Sequence, residues 1–406
     1  MSLKNTAKET LEIVKAGQYT NSSEKVVDFA VEQKAAEANT KLYTPEELAN
    51  ISDRFSVDVD KDNKLTIEVT NETTQLAAYR LVAQENCSDL VLLNFASAKN
   101  PGGGFLNRAK AQKEDLARCS GLYPCLQTQP TYYKVNRAYE SLLYTDHIIY
   151  SPKVPWFKTR STGQLLADFF LASVITAPAP NAGEVLRRDP TAKKDIAIAL
   201  YRRAKYVLTV ARDNGHRSLL LGAWGCGVFR NDPYTVANAF GIWLHSPEFA
   251  DCFDRVVFAI YDPTKEKRIF NAFRSRLKYH RCVFKLLQEE LKRNNPPLLP
   301  WLRCPKLSRY SLGWRMGFGE DYMFAWDIWS DFQSKKDLLE YFKGFAPISC
   351  EWADWVAYRL YGDDFDNYQE YKNDQKTRVK KLEQIGLANY REWEDWYSSQ
   401  WKQKEQ

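Results

Sequence analysis

Histidine is scarce in this chain, with four residues among 406. None of the four lies at metal-ligand spacing from another, and the eight cysteines include no Cys-x-x-Cys pair. This distribution excludes the usual zinc-binding patterns and fits reduced thiols better than disulfides. We therefore expect no structural metal and no cofactor.

Long apolar runs are also absent. No stretch of about 18 or more apolar residues suggests a membrane span, and the first residues lack the apolar segment of a secretory signal peptide. We expect no membrane partner and a cytosolic or nuclear location. With 44% hydrophobic residues, the chain can bury a large core and is long enough for two domains.

The net charge of +6 is unevenly distributed in the C-terminal part. Residues 263–309 include 13 basic and 3 acidic residues, a net charge of +10, whereas 310–406 include 13 and 18, a net charge of −5. Such a basic segment can contact a polyanion such as nucleic acid. We favour the simpler interpretation, a solvated helical face whose charge the acidic tail neutralises.

The first 262 residues alternate between predicted strands and helices. Thr44-Pro45-Glu46-Glu47 is typical of a helix start, with a threonine cap and a glutamate three residues later. Strands are predicted at 65–69, 91–95, 173–176, 219–222 and 256–261, and helices at 195–213 and 234–244. This alternation favours an α/β fold, a three-layer α/β/α sandwich with a mixed central sheet.

Tryptophan is concentrated after residue 262, where nine of the twelve occur. Three pairs have a three-residue spacing that places both rings on one face of a helix: Trp326/Trp329, Trp352/Trp355 and Trp393/Trp396. One interpretation is a surface for a partner or a carbohydrate, but we favour the core of a small helical domain. The predicted organisation is a domain at 1–262, a basic connector at 263–309 and a tryptophan-rich helical domain at 310–406.

The most informative segment is the glycine triplet Gly102–Gly104, which follows the apolar run 91–95. Three successive glycines disfavour helix and strand and suit a loop that another group approaches closely. Because 109–118 has helical composition, the segment predicts a strand, a glycine loop and a helix, an arrangement that cradles phosphate with backbone N–H groups. A second loop, GAWGCGVF at 222–229, also follows a predicted strand, so both loops can face one cleft.

Seven sequence blocks resemble, in the same order, those of the microbial-type poly(ADP-ribose) glycohydrolases, a branch of the macrodomain superfamily. They cover about the first 262 residues. The blocks are TLEIVKAGQYTN (10–21), NFASAKNPGGGFLN (94–107), LARCSGLYPCL (116–126), YSPKVPWF (150–157), SVITAPAPNAG (173–183), GHRSLLLGAWGCGVFRNDP (215–233) and VVFAIYD (256–262). The resemblance implies a macrodomain fold and hydrolysis of the ribose–ribose O-glycosidic bonds of poly(ADP-ribose).

The family carries a Gln-Glu-Glu motif after its Gly-Gly-Gly loop, and the corresponding residues here are Gln112, Lys113 and Glu114. The resemblance implies that Glu114 is the general acid/base, because cleavage needs a proton on the leaving oxygen and then an activated water. Lys113 replaces a glutamate associated with ribose contacts on the polymer side. Either Lys113 favours the charged form of Glu114, or it faces away from the cleft and pairs with a phosphate. Asp115 points along another direction of the helix and cannot replace the missing carboxylate.

The resemblance also implies a set of substrate-binding residues. They are Asn94, Asn100, Gly102, Gly103, Gly104, Gln112, Lys113, Gly225, Cys226, Gly227, Val228 and Phe229. The glycines would let amides approach the diphosphate, Phe229 would pack against the ribose, and Arg108 would help to hold the diphosphate. Asn94 has an equal alternative as a cap of the strand end. A nucleophilic role for Cys226 is disfavoured, because no histidine lies near it in sequence.

The leading hypothesis is a hydrolase that releases ADP-ribose, with poly(ADP-ribose) or an ADP-ribosylated protein as its partner. One alternative is a reader that binds ADP-ribose with weak or no catalysis because of Lys113. Another is a hydrolase of a different ADP-ribosyl conjugate. The C-terminal addition would supply targeting or substrate selection, and nucleic acid contact through 263–309 stays open.

Overall fold

The structure is a computed structural model that describes residues 2–54, 65–249, 251–277, 280–314, 318–361 and 368–402. These residues form two compact units, Met1–His280 and Arg281–Gln406. The division falls inside 263–309, the segment for which the sequence predicts a connector, and the helix Arg268–Leu277 belongs to the first unit. No helix in the described ranges is long and apolar enough to cross a membrane.

The first unit contains the strands and most of the helices. Its strands are β1 Gln18–Thr20, β2 Val26–Asp28, β3 Lys41–Tyr43, β4 Thr66–Thr70, β5 Leu90–Phe95, β6 Ile148–Trp156, β7 Phe170–Ala177, β8 Ser218–Gly222 and β9 Arg255–Ala259. Its helices are α1 Leu3–Ala16, α2 Ala30–Ala38, α3 Pro45–Asp53, α4 Thr74–Tyr79, α5 Gln112–Cys119, α6 Leu122–Gln127, α7 Pro130–Ala138, α8 Ala182–Arg188, α9 Lys193–Asp213, α10 Pro233–Leu244 and α11 Arg268–Leu277.

Seven of the described strands form one mixed sheet in the order β3-β6-β7-β5-β8-β9-β4. β5 is parallel to both β7 and β8, and β6 is antiparallel to β7 and β3. Since parallel neighbours end at the same edge, the segments after β5, β7 and β8 leave the sheet side by side. This topology confirms the predicted α/β fold with a mixed central sheet.

Side chains of the central strands alternate between two helical layers, as the two-residue period of a strand requires. On one face, Leu92 shares a core with Leu116 of α5. On the other face, the Phe258 ring lies 5.9 Å from that of Phe240 in α10 and 5.8 Å from that of Phe273 in α11. The sheet is therefore buried on both sides, which fixes the edge where the loops emerge.

Local predictions of helix starts are confirmed where the sequence contains a helix-capping pattern. The Thr44 hydroxyl accepts a hydrogen bond from the Glu47 amide, and the Thr44 amide donates to the Glu47 carboxylate, so the predicted cap is confirmed. The helix predicted at 109–118 instead begins at Gln112, so its predicted start is wrong. Ala111 has an extended backbone, and turns occupy 101–108.

The second unit is helical. Its helices are α12 His280–Arg293, which begins at the boundary, α13 Pro300–Arg303, α14 Phe318–Asp331, α15 Lys335–Lys343, α16 Cys350–Tyr361, α17 Tyr368–Gln384 and α18 Tyr390–Lys402. Trp326 and Trp329 lie on α14 with ring centroids 5.5 Å apart, and Trp352 and Trp355 lie on α16 with centroids 5.7 Å apart. All four are buried, which confirms the favoured core interpretation for these pairs.

Candidate active site

Gln112 fixes the start of α5 against the end of β5. Its Oε1 accepts a hydrogen bond from the Phe95 amide at 2.9 Å, and its Nε2 donates to the Leu93 carbonyl at 2.9 Å and to Thr74 Oγ1 at 3.2 Å. The amide group of this predicted substrate-binding residue is thus engaged within the protein. Its contacts set the position of the next two residues at the edge of the sheet.

Glu114 is only 2% exposed, and both of its carboxylate oxygens accept backbone hydrogen bonds. Oε1 accepts from the Gly104 amide at 3.0 Å, and Oε2 accepts from the Ala111 amide at 3.1 Å. Ala111 has no side-chain acceptor to reciprocate, so the contact is a one-sided cap of α5. The carboxylate is held in one orientation on the inner side of the glycine loop.

The glycine triplet makes this close approach possible. Gly102 and Gly103 adopt φ values of +60° and +62°, which favour glycine. A Cβ atom at Gly103 would lie 2.4 Å from Glu114 Oε1 and 2.7 Å from the Cε atom of Lys113. The Gly103 amide donates to the Asn100 carbonyl at 3.0 Å. The amides of Gly103 and Gly104 are therefore bound within the protein, and the group that approaches this loop is the carboxylate.

Lys113 turns toward Glu114. Its Nζ lies 3.4 Å from Glu114 Oε1, and its side chain is 20% exposed. Of the two outcomes open for this lysine, the structure has the one in which Lys113 pairs with Glu114. The ammonium therefore lies at the surface of the site, on the side of the glycine loop.

Asp115 and Arg118 belong to the support of the loop. The Ser161 hydroxyl donates to Asp115 Oδ1, and Arg118 Nη1 lies 3.7 Å from the same oxygen. Arg118 has no exposed surface and donates from Nη2 to the Phe105 carbonyl at 2.8 Å, directly after the glycines. Burial lowers the pKa of the Arg118 guanidinium, although the Asp115 and Glu114 carboxylates oppose that shift. Asp115 is directed away from Glu114, as the helical direction predicts.

The second glycine loop follows β8 and is shaped by Asn231. The Asn231 amide group donates to the Pro180 carbonyl at 2.8 Å and to the Gly225 carbonyl at 3.1 Å. Gly225 has φ +73°, and a Cβ there would lie 2.5 Å from that of Ala179. The loop therefore packs closely against the segment after β7.

Three successive backbone amides of this loop, those of Gly227, Val228 and Phe229, have no hydrogen-bond acceptor in the described part of the chain. Gly227 and Val228 are exposed, and Phe229 is partly buried with its ring 6.3 Å from that of Tyr144. A run of unpaired amides creates a local positive potential that suits an anion. We call these three amides the amide cluster.

Both loops are linked to one carbonyl at the end of β7. Ala96, which follows β5, donates its amide to the Ala177 carbonyl at 3.2 Å, and Trp224 Nε1 donates to the same oxygen at 3.1 Å. The two segments are therefore held at the same edge of the sheet. This placement is what the sequence predicts for loops that face one cleft.

The remaining predicted residues differ in exposure. Asn94 is 2% exposed; it donates to Thr176 Oγ1 at 3.1 Å, while its buried Oδ1 has no partner within the described ranges. Asn100 is exposed and donates its backbone N–H to Ser97 Oγ at 3.2 Å.

Burial raises the pKa of the Cys226 thiol well above its ordinary value, so this thiol stays protonated near neutral pH. In the described residues, no cluster of His, Cys, Asp and Glu could hold a metal ion.

Sequence reasoning missed Arg118 and Asn231, the two buried side chains that brace the loops. A weak pattern was available for each. Arg118 is a cation inside the apolar run Leu116-Ala117-Arg118-Cys119, and Asn231 directly precedes the Asp232-Pro233 start of α10. Buried polar residues in such positions need partners, and loop carbonyls supply them here.

The chain is similar to known poly(ADP-ribose) glycohydrolases. The sequence model of the microbial-type poly(ADP-ribose) glycohydrolase catalytic domain matches residues 7–159. The crystal structure of the poly(ADP-ribose) glycohydrolase from Thermomonospora curvata is 43% identical, with a TM-score of 0.63, and the match covers 68% of this chain and 98% of that chain. No curated protein sequence matches.

Two further solved structures contain ligands. The Thermomonospora curvata enzyme bound to the inhibitor ADP-HPD is 42% identical, covers 68% of this chain and 98% of that chain, and has a TM-score of 0.61. The Deinococcus radiodurans poly(ADP-ribose) glycohydrolase in complex with ADP-ribose is 46% identical, with a TM-score of 0.55 and a match over 61% of this chain and 97% of that chain.

Proposed function

The chain belongs to the microbial-type poly(ADP-ribose) glycohydrolase family, and we propose that Glu114 is the acid/base with which it hydrolyses ribose–ribose O-glycosidic bonds. The observation that carries this assignment is the placement of Glu114. Its carboxylate is 2% exposed and held by the amides of Gly104 and Ala111, at the same sheet edge as the amide cluster. A fixed carboxylate beside an anion site suits cleavage of a phosphate-bearing glycoside.

In the proposed reaction, the Glu114 carboxyl group donates a proton to the ribose oxygen that leaves as the C–O bond breaks. Water then adds to the sugar carbon and gives a proton to the Glu114 carboxylate, which restores the acid. The products are free ADP-ribose and a polymer shortened by the released units. The two amides that hold Glu114 keep its orientation constant through both steps.

The amide cluster would bind a diphosphate of the same ADP-ribose unit. Backbone amides are a common phosphate ligand, and the exposure of Gly227 and Val228 leaves room for one. The partly buried Phe229 ring would then pack against the sugar beside it. Asn94, Asn100 and the first glycine loop remain proposed contributors to the same site.

One experiment tests the assignment of Glu114. Wild type, Glu114→Gln and the exposed control Glu12→Gln on α1 are incubated with poly(ADP-ribose), and released ADP-ribose is measured beside ADP-ribose affinity. We expect Glu114→Gln to lose about 100-fold or more in rate while it still binds ADP-ribose. Equal rates for wild type and Glu114→Gln would remove Glu114 from the mechanism. Binding without any release by the wild type would identify a reader instead.

The role of the second unit, the location of the protein and its contact with nucleic acid are also proposals. The second unit would supply targeting, with a cytosolic or nuclear location for the protein. Contact of 263–309 with nucleic acid is tested by titrating DNA at several salt concentrations against wild type and a Lys292→Gln/Arg293→Gln variant, since both residues are exposed near the end of α12. Equal affinity and equal salt dependence would remove this contact.

A further inference from the structure

Lys113 is a charged residue that the proposed acid/base step does not use. Its Nζ has one ionic partner within the described residues, Glu114 Oε1 at 3.4 Å, and its aliphatic stem lies over Gly103, whose added Cβ would be 2.7 Å from Cε. An ammonium carries three N–H donors, so most of its bonding capacity is free on the solvent side.

Two more cations lie on the loop that leads into α5. Arg108 and Lys110 are exposed, and neither forms an ion pair or a side-chain hydrogen bond within the described ranges. They flank Ala109, whose Cβ lies 3.0 Å from the position that a Cβ of Gly104 would occupy. Because the Gly104 amide is bound to Glu114, Arg108 and Lys110 lie on the segment that leads from this amide to the helix that carries Lys113 and Glu114. We call Arg108, Lys110 and Lys113 the basic rim.

The substrate carries one diphosphate in every repeating unit, so a bond within the polymer has a diphosphate on each side. The amide cluster belongs to the loop after β8 and accounts for one anion. The basic rim lies on the loop after β5 and the first turn of α5, next to the proposed proton donor, and we therefore assign it to the side of the leaving group. Two separate candidate anion sites, one on each glycine-loop segment, match a substrate that continues past the cleaved bond.

Resting on the proposed function, we propose that the basic rim binds the diphosphate of the ADP-ribose unit on the leaving-group side. Lys113 exchanges its ion pair with Glu114 for this phosphate, which removes the ammonium from Oε1 when polymer is bound. The rim makes the enzyme selective for polymer over ADP-ribosyl substrates whose leaving group has no phosphate. A phosphate competes well for the ammonium because charge-assisted hydrogen bonds to it are strong.

The test compares two substrates, poly(ADP-ribose) and an aryl glycoside of ADP-ribose with no phosphate in its leaving group. The variants are Lys113→Gln, Lys113→Arg and the double variant Arg108→Gln/Lys110→Gln, with Lys34→Gln as a control because Lys34 is exposed on α2 and unpaired among the described residues. The readout is the ratio of kcat/KM for the polymer to kcat/KM for the aryl glycoside, measured at several salt concentrations.

We expect Lys113→Gln to lower this ratio about tenfold through a higher KM for the polymer, and Lys113→Arg to restore most of it. The dependence of log KM on log salt should become shallower by about 0.7 for each phosphate contact removed, as for single-stranded polyanions. The double variant should lower the ratio as well, whereas Lys34→Gln should not.

An unchanged ratio and salt dependence in Lys113→Gln and in the double variant would overturn the inference while leaving the proposed function intact. Equal losses on both substrates would also overturn it, because they indicate a purely structural role for the rim. If wild type hydrolyses neither substrate, the proposed function fails, and the inference fails with it. These outcomes are distinguishable because the aryl glycoside reports on Glu114 without a second diphosphate.

Discussion

The Glu114 carboxylate accepts a hydrogen bond from the Gly104 amide at 3.0 Å, and this contact changes the interpretation of the glycine triplet. The sequence predicts that these glycines cradle phosphate. In the structure Gly103 and Gly104 accommodate a buried carboxylate, while a run of three amides without an acceptor among the described residues lies on the loop after β8. The two glycine loops therefore differ: one positions Glu114, which we propose as the proton donor, and the other presents the amides that we propose as an anion site.

The first prediction concerns Gly103→Ala. The new Cβ would lie 2.4 Å from Glu114 Oε1, so the carboxylate must move, and we expect hydrolysis of poly(ADP-ribose) to fall about 100-fold or more. Gly215→Ala is a matched control, because Gly215 has a similar φ of +73° and no atom within 4 Å of an added Cβ.

Both substitutions add the same type of backbone strain. This strain should lower the free energy of unfolding by about 1 kcal/mol or more, which urea denaturation measures. Only Gly103→Ala should lose activity at matched stability. If both variants keep wild-type rates, the contact between the glycine loop and Glu114 does not matter for catalysis.

Much of the sheet could be predicted from the sequence, because β5, β7, β8 and β9 contain continuous apolar runs. β6 was not predicted as a strand. Pro152 and Pro155 interrupt its pattern, and the register shifts between Ser151 and Val154. Its place between β3 and β7 depends on long-range pairing, which a local pattern does not contain.

For the candidate site, the sequence predicts which loop and helix carry the motif, and the roles of its residues stay predictions. The spacing of Gln112 and Glu114 from the glycines indicated the correct helix and loop. The partners of Glu114 could not be predicted, because the Gly104 amide reaches it through a turn whose path depends on buried Arg118. For the same reason, the sequence does not determine the direction of the Lys113 side chain.

The second prediction concerns pH and His216. This ring is 8% exposed; its Nε2 lies 2.8 Å from the Tyr150 hydroxyl and its Nδ1 lies 2.5 Å from the Asp89 carbonyl. Burial lowers the pKa of His216 below the ordinary value of about 6.5, and it outweighs the contact with Asp89. Below about pH 6.5 the unfolded chain binds a proton that the folded protein does not, so stability falls as pH falls.

The measurement is the free energy of unfolding in urea at pH 7.5 and 5.5 for wild type and His216→Phe. We expect a smaller difference between the two pH values in the variant. Burial also lowers the pKa of His147, so part of the dependence should remain. An identical pH dependence in both proteins would contradict the assignment.

The third prediction separates core from surface among the tryptophans. Trp352 is 2% exposed, with ring centroids 4.8 Å from Trp301 and 5.3 Å from Trp314. Trp352→Ala should destabilise the second unit by about 3–5 kcal/mol through the cavity that it leaves. Trp396→Ala, whose partly buried ring stacks on the exposed Tyr310, should cost less.

Calorimetry on the full chain measures these losses, and released ADP-ribose reports on the first unit in parallel. Glu114 and both glycine loops belong to the first unit, so we expect hydrolysis to persist at temperatures where that unit stays folded. A melting profile that Trp352→Ala leaves unchanged would point to a surface role for this residue.

The last prediction tests the amide cluster by the removal of a single N–H group. Val228 is 83% exposed, so Val228→Pro deletes its amide hydrogen with little loss of packing, and Gly227 before it has no Cβ to clash with the proline ring. We expect ADP-ribose affinity, measured by calorimetry, to fall about tenfold, since a hydrogen bond to a charged group contributes about 1.5–3 kcal/mol. Val228→Thr keeps the amide and should bind as wild type does. Equal affinity in the proline and threonine variants would show that the anion does not bind at this amide.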